Sequence, residues 1–507
     1  MQTRPKSDRN KIPIAEERLV AVSNRLPIAV KRKGNVWQVQ PGSGGLVTAI
    51  SPVLRNRGGI WIGWSGATED IEWGEELDLA SHESGYRLYP VTLTREEVDN
   101  FYFGFANQVI WPLFHDLLTR CNFDPAFWYH YLQVNDKYAG AIIDSSLPSD
   151  YIWIQDYHLI AVAQALRKRG VKRRTGFFLH IPFPSVDIFM RMPWRAQILQ
   201  ALLEYDLIGF QTQRDRRNFI QCLQYLSPGL KAVGRGAVLS VEVDGRMVRV
   251  GAFPISIDFE NFSTLAASSG VESRLRWLKE SMLGSQIILG VDRLDYTKGL
   301  PERLQSFRIA LRQHPDIRRR LTLVQVVVPS RTDVPEYQAL KSHVEQLVGE
   351  INGEFTYGGW APVQYMFRNL EPDELLAYYR AAQIAIVTPI KDGMNLVAKE
   401  YCTCCLEEEG ALILSEFAGA ASELQRGAIL VNPHDLEGVA DAIYRAYTMG
   451  VEEKRQRMRR LRESIRKHDI FWWVDSYLKA AFSKKLGDFP LEEEYVPSIS
   501  LGRAPGR

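Results

Sequence analysis

Long hydrophobic runs are missing. No stretch of the 507-residue chain carries the roughly 20 consecutive apolar residues that a membrane-spanning helix needs. An excess of one charge is missing too. The 62 Lys and Arg stand against 60 Asp and Glu, a formal net charge of +2, so neither nucleic acid nor an anionic membrane surface is an expected partner. The five cysteines are few and odd in number, which argues against a disulfide framework and for a reducing, cytoplasmic setting. Cys402, Cys404 and Cys405 crowd together, but no second Cys-x-x-Cys pair or neighbouring His joins them. Buried thiols are expected there, not a metal site. No metal or cofactor is expected anywhere in the chain. No Gly-x-Gly-x-x-Gly follows a predicted strand, which excludes a nicotinamide-dependent Rossmann oxidoreductase. Residues 1–17 lack the apolar centre of a secretory leader and read as a disordered arm.

Hydrophobic residues make up 46% of the chain, enough to bury two full cores. Continuous apolar runs at Arg18–Val22, Tyr151–Ile154, Thr175–Leu179, Leu207–Gly209, Ile287–Val291, Leu321–Val328, Ile384–Val387 and Ala411–Leu414 predict parallel strands buried on both faces. Helical patterns such as Leu159–Arg169 and Pro301–His314 lie between them. Alternation of this kind over the whole length means an α/β chain with doubly wound sheets. The stretch Ser256–Ser269 is polar and interrupted, and a new strand–helix series starts at Gln286. Two Rossmann-like halves are therefore expected, residues 18–255 and 256–468, with a cleft between them. An aromatic helix over residues 469–486 is expected to pack back across them, followed by an extended tail over 487–507.

Ligands of such sheets bind beyond the carboxyl ends of the strands, and the polar motifs fall there. Arg25, in Ser23-Asn24-Arg25, would project a planar guanidinium that binds phosphate at any relevant pH. Gly44 and Gly45 open a helical run, where backbone amides can approach a phosphate. Asp156 and His180 each end an apolar strand and face the same expected cleft. Arg293 and Lys298 border a strand–helix turn with Gly299 as its bend, and two cations there suit a diphosphate. In Asp392-Gly393-Met394-Asn395-Leu396-Val397-Ala398-Lys399-Glu400, Asp392 could accept from sugar hydroxyls and Glu400 from a ribose diol. The amides of residues 395–397 would form a helix N-terminus near the diphosphate.

These elements, in this order, resemble the trehalose-6-phosphate synthases, retaining glycosyltransferases of the GT-B type. The resemblance runs from about Arg18 to about Leu478. It is most specific at Arg293–Arg303 and Asp392–Glu400, with support from residues 61–66, 177–184 and 415–421. It implies that residues 18–255 form an acceptor domain and 256–468 a nucleotide-sugar domain. It also implies a glucose 6-phosphate pocket of Arg25, Tyr102, Trp111 and Arg331, with Asp156 and His180 around the transferred glucose. Arg293 and Lys298 would clamp the diphosphate, and Gly44 and Gly45 would line the donor–acceptor region. Asp392 would hold donor hydroxyls, Glu400 the ribose, and Leu370 the base. Gly393, Met394, Asn395, Leu396 and Val397 complete the implied donor site. One departure is Gln155, where relatives often carry His; an indirect effect is expected of it.

The implied reaction makes trehalose 6-phosphate from glucose 6-phosphate and a nucleotide-glucose. UDP-glucose is favoured, although UDP, GDP and ADP donors share the diphosphate and ribose contacts. Retention often involves a carboxylate nucleophile, but none stands out. Same-face transfer is implied, with Asp156, His180, Arg293, Lys298 and Asp392 as its catalytic set. Glycerol 3-phosphate as acceptor and a catalytically weak sugar-phosphate sensor are the alternatives, and self-association into a homo-oligomer is left open.

Overall fold

The computed structural model describes residues 18–497, apart from 34–35, 43–44, 69–74, 235, 283, 332–333, 484–485, 487–488 and 490–492. The expected arm over 1–17 and most of the expected tail lie outside the described residues.

The apolar runs form two separate, largely parallel sheets. In spatial order the first has Arg87–Val91, Ile60–Trp64, Leu19–Arg25, Tyr151–Gln155, Thr175–Phe178, Leu207–Phe210, Arg246–Ala252, Val238–Val243 and Ala232–Val233. Its last two pairings are antiparallel, an edge hairpin that the search for continuous apolar runs does not reveal. The second sheet runs Val363–Phe367, Leu321–Val328, Gln286–Arg293, Ile384–Val387, Ala411–Ser415 and Ile429–Val431, parallel throughout. Strands Leu321–Val328 and Ile384–Val387 have the predicted bounds.

In both sheets the chain starts near the middle, winds to one edge, then returns and winds to the other. The order reverses beside Leu19–Arg25 in the first sheet and beside Gln286–Arg293 in the second. At such a switch point neighbouring connections leave in opposite directions and open a crevice above the carboxyl ends of the strands. Arg25 and Asp156 end or follow the two strands at the first switch point, and Arg293 ends a strand at the second.

The stretch 256–269, read as an interruption, is instead partly helical. Asp258 Oδ1 accepts from Asn261 N at 3.0 Å and caps the helix Phe259–Ala266. Ser268 caps the next, Ser269–Ser281. The helix Ile470–Phe482 carries aromatic residues onto the first sheet. Tyr477 stacks on Trp153 with ring centres 4.4 Å apart and donates to Phe177 O at 3.2 Å. Trp473 Nε1 donates to Phe253 O at 3.1 Å, and Ile470 N meets Ile257 O at 3.0 Å. One apolar core therefore runs from the first sheet through residues 253–259 into the second. In the tail, Glu494 pairs with Arg217 at 2.6 Å and Glu493 with Arg426.

Candidate functional site

At the first switch point the chain turns from apolar to polar at Ser23. Ser23 Oγ accepts from Trp61 Nε1 at 2.8 Å and donates to Arg25 O at 2.6 Å. Tyr138 OH donates to Asn24 O at 2.8 Å. The strand end is thus held while the Arg25 side chain stays exposed, its guanidinium 4.1 Å from the Trp64 ring centre. Tyr102 lies edge-on to Trp64 and stacks on His158, at ring distances of 6.1 and 5.8 Å.

Asp156 follows its strand with φ 73°, a left-handed conformation that is rare for a residue with a side chain, and such strain clusters at functional sites. Its amide donates to Phe178 O at 2.7 Å and its Oδ1 accepts from His180 N at 3.2 Å. Burial pushes its carboxyl up to about 7, against the opposing pull of the Tyr157 and His180 amides and the Arg293 charge. Burial also lowers the His180 imidazole to about 3, so it is neutral. Both His180 ring nitrogens are engaged, Nε2 with Gln155 Oε1 at 2.9 Å and Nδ1 with Gln211 Nε2 at 3.4 Å.

On the second sheet Arg293 emerges exposed at its strand end. Asp295, just beyond it, is the hub of this side. Its Oδ2 lies 3.6 Å from Arg331 Nη1 and accepts from Tyr337 OH at 3.2 Å. Burial raises its carboxyl, but Arg331, Arg293 and Lys298 outweigh burial and hold it below the usual range. Lys298 Nζ is 2.5 Å from Asp392 Oδ2, which likewise stays ionised despite burial because that ammonium outweighs it. Arg303, 1% exposed, bonds Asp292, Thr388 Oγ1, Gln325 and Lys298 O and so braces the turn from inside.

Asn395 caps the helix Leu396–Cys404 at φ 78°, accepting from Ala398 N at 3.4 Å and donating to Asp392 at 3.1 Å. The first turn of that helix, Leu396 and Val397 included, supplies the N–H groups that favour an anion. Glu400 accepts from Tyr379 OH at 2.8 Å, and burial raises its carboxyl. Gly393 is packed so closely that a Cβ there would lie 2.1 Å from His180 O. Met394 is buried, and Leu370 is half-buried beyond the strand Val363–Phe367. Gly45 begins the helix Gly45–Arg57, while Gly44 lies outside the described residues. Cys402, Cys404 and Cys405 are buried free thiols. No group of three or more metal-ligating side chains occurs among the described residues.

The two sides meet in a cleft of about 630 Å³ lined by Arg25, Tyr102, Trp111, Asp156, Arg293 and Arg331. The Arg331 guanidinium stacks over Trp111. Lys298, Asp392, His180 and the helix Leu396–Cys404 are not part of this lining, but Asp295 and Gly393 tie them to it. The sequence reading did not single out Ser65, Tyr157 and His158, which also line the cleft. Ser65 sits in the Trp-rich segment that carries the resemblance, and the other two directly follow Asp156, so the signal was adjacency. It missed Asp295 as well, although that residue stands between Arg293 and Lys298.

Two doubly wound parallel sheets that close one arginine-lined cleft at their switch points define a GT-B glycosyltransferase. Residues 17–482 match glycosyltransferase family 20, and the chain belongs to that family. It is 43% identical over 473 residues to a trehalose-6-phosphate synthase of Mycobacterium sp. (strain JLS), covering 92% of this chain and 96% of that one. It is 40% identical over 464 residues to alpha,alpha-trehalose-phosphate synthase [UDP-forming] A of Dictyostelium discoideum, covering 91% of this chain but only 62% of that longer protein. Among solved structures it is similar to an alpha,alpha-trehalose-phosphate synthase (UDP-forming) from Burkholderia xenovorans in complex with glucose-6-phosphate. That match has 34% identity and a TM-score of 0.83, and covers 92% of this chain and all of that one.

Proposed function

We propose that this protein transfers glucose from UDP-glucose to glucose 6-phosphate with retention, yielding α,α-trehalose 6-phosphate and UDP. The observation that carries this reading is the convergence of Arg25 and Arg331 with Arg293 on one cleft. Cations from both sheets thereby face the same enclosed volume, one set for a sugar phosphate and one for a departing diphosphate. Residues 18–255 with the helix over 469–486 act as the acceptor half, and residues 256–468 as the donor half.

The bond from the glucose anomeric carbon to the UDP oxygen breaks while the acceptor's anomeric hydroxyl oxygen bonds to that carbon on the same face. The hydroxyl proton passes to the departing phosphate oxygen. Arg293 and Lys298 neutralise charge as it builds on the diphosphate, and the N-terminus of the helix Leu396–Cys404 adds its dipole. Arg25, Tyr102, Trp111 and Arg331 hold the acceptor phosphate. Asp156 and Asp392 accept from sugar hydroxyls and set the reacting atoms in line. Glu400 takes the ribose diol and Leu370 borders the base, while Gly45 and Gly393 complete the donor side.

The test incubates purified protein with glucose 6-phosphate and UDP-, GDP- or ADP-glucose, and follows nucleotide release and product stereochemistry. UDP release coupled to an α,α-linked phosphorylated disaccharide is expected. Turnover with glycerol 3-phosphate but not glucose 6-phosphate would replace the acceptor. Tight binding of glucose 6-phosphate without any turnover would leave a sensor.

A further inference from the structure

A chain of hydrogen bonds fixes the orientation of one amide bordering the cleft. The Ile255 backbone N–H can only donate, and it meets Gln211 Oε1 at 2.9 Å. The opposite end of Gln211 is therefore its NH2 group. That nitrogen faces His180 Nδ1 at 3.4 Å, which makes Nδ1 an acceptor and places the imidazole proton on Nε2. His180 Nε2 lies 2.9 Å from Gln155 Oε1 and donates to it. The Gln155 oxygen is thus committed and its NH2 group is left over. This nitrogen is buried with no protein partner among the described residues, and Gln155 itself is 0% exposed and lines the cleft.

A buried donor without an acceptor loses the hydrogen bonds it would make in water, and native structures leave few of them. The cleft that Gln155 lines is where such an acceptor can arrive. The far end of the chain is equally constrained. Ile255 O accepts from Lys399 Nζ at 3.0 Å, and Lys399 is paired at 2.5 Å with Glu423, both of them buried. The Ile255 peptide is thereby gripped on both sides, and the orientation passes inward from the crossover between the halves to Gln155.

We infer that Gln155 is a substrate-contacting residue whose carboxamide N–H donates to a hydroxyl oxygen of a sugar bound in the cleft, in an orientation imposed by Ile255, Gln211 and His180. His180 is then a positioning residue for Gln155. This rests on the transferase reading for the identity of the sugars, but not for the contact itself. It also gives the amide at position 155 a direct role, where the sequence pointed only to an indirect one.

The experiment is a substrate–variant cycle. Kinetics of the wild-type protein, Q155M and Q155E are compared on the parent sugars and on monodeoxy analogues of glucose 6-phosphate and UDP-glucose. Q155M is close in shape and offers no donor or acceptor. Q155E keeps an acceptor for the His180 proton and, assayed at a pH where it is ionised, lacks the donor, although it adds a charge beside Asp156. Loss of one neutral hydrogen bond should lower wild-type kcat/KM roughly three- to tenfold for one deoxy analogue. The same analogue should cost Q155M and Q155E nothing further, because its partner is already gone. Penalties that multiply independently at every deoxy position, or a Q155M protein equal to wild type on the parent sugars, would overturn the proposal. Thermal melts verify folding, and should Q155M not fold, Q155E carries the same comparison. Wild-type turnover on the parent sugars tests the transferase reading alone. Without turnover, the cycle is read from calorimetric binding of the same sugars.

Discussion

The Arg331 guanidinium carbon lies 5.0 Å from the centre of the Trp111 ring, so a loop leaving the second sheet is stacked on a helix that covers the first. Arg331 Nη1 also bonds Tyr337 OH at 2.5 Å and faces Asp295 at 3.6 Å. One side chain therefore reaches across the cleft and joins its two walls.

Arg331→Ala should raise the KM for glucose 6-phosphate by about ten- to a hundredfold, the worth of one charge-assisted hydrogen bond. The donor KM should change much less. Steady-state kinetics with each substrate varied in turn checks this, and equal effects on both would remove Arg331 from the acceptor pocket.

Arg293→Ala should leave the fold intact, because the side chain is exposed at a strand end and no core contact is lost. Its effect should fall on turnover, about ten- to a hundredfold in kcat. Single-turnover measurements at saturating substrates separate this from weaker binding. Full activity in a folded variant would place the diphosphate elsewhere.

Asp156 should give the protein a pH dependence centred near neutrality. Its carboxyl is raised from 3.8 to about 7, and as an acceptor for sugar hydroxyls it works ionised. The kcat/KM should rise about tenfold per pH unit below 7 and level off above it. The acceptor phosphate titrates about a unit lower, so Asp156→Asn, which should be slower and lack the inflection near 7, isolates the residue. Stability moves the other way. A carboxyl that holds its proton more firmly in the folded state loses stability as pH climbs from about 4 to about 7. Asp156→Asn should therefore be more stable than wild type at pH 8, by on the order of 4 kcal/mol, and show no such gain at pH 4.

Gly393→Ala would place a methyl group 2.1 Å from His180 O. Backbone cannot yield as a flexible side chain does, so the loop carrying Asp392 must shift. A stability loss of about 1–3 kcal/mol is expected, with a larger fall in kcat/KM for the donor than for the acceptor. Denaturant titration and donor kinetics together check it.

Lys399→Met should be among the most damaging changes outside the cleft. It leaves Glu423 buried without its cation, a loss of about 3–5 kcal/mol. Adding Glu423→Gln to it should restore most of the stability, because a neutral amide is easier to bury than a lone carboxylate. Chemical denaturation of the single and double variants gives the coupling directly.

The sequence showed the strands best where burial makes them apolar on both faces. Leu321–Val328 and Ile384–Val387 have no polar residue to blur their ends except Gln325 and Thr322, both buried. The cleft residues were legible for a related reason: Arg25, Asp156 and Arg293 mark the sharp change from apolar strand to polar turn. The helix Phe259–Ala266 escaped notice because it is only eight residues long and gives way to the next helix at Ser268 within a serine-rich stretch. The Lys399–Glu423 pair and the run from Ile255 through Gln211 to Gln155 were out of reach for a different reason. They join residues far apart in the chain, and only the packed fold brings them together. Asp295 falls between these cases. It stands between Arg293 and Lys298, but its pairing with Arg331 depends on a loop more than 30 positions further on.

The backbone passes between the two halves at residues 253–258 and again near 467–470, and Ile470 N is bonded to Ile257 O at 3.0 Å. The two connections are thus tied to each other directly, and Lys399 Nζ grips the first of them through Ile255 O at 3.0 Å. Anything that loosens this one spot acts on both covalent links between the halves at once.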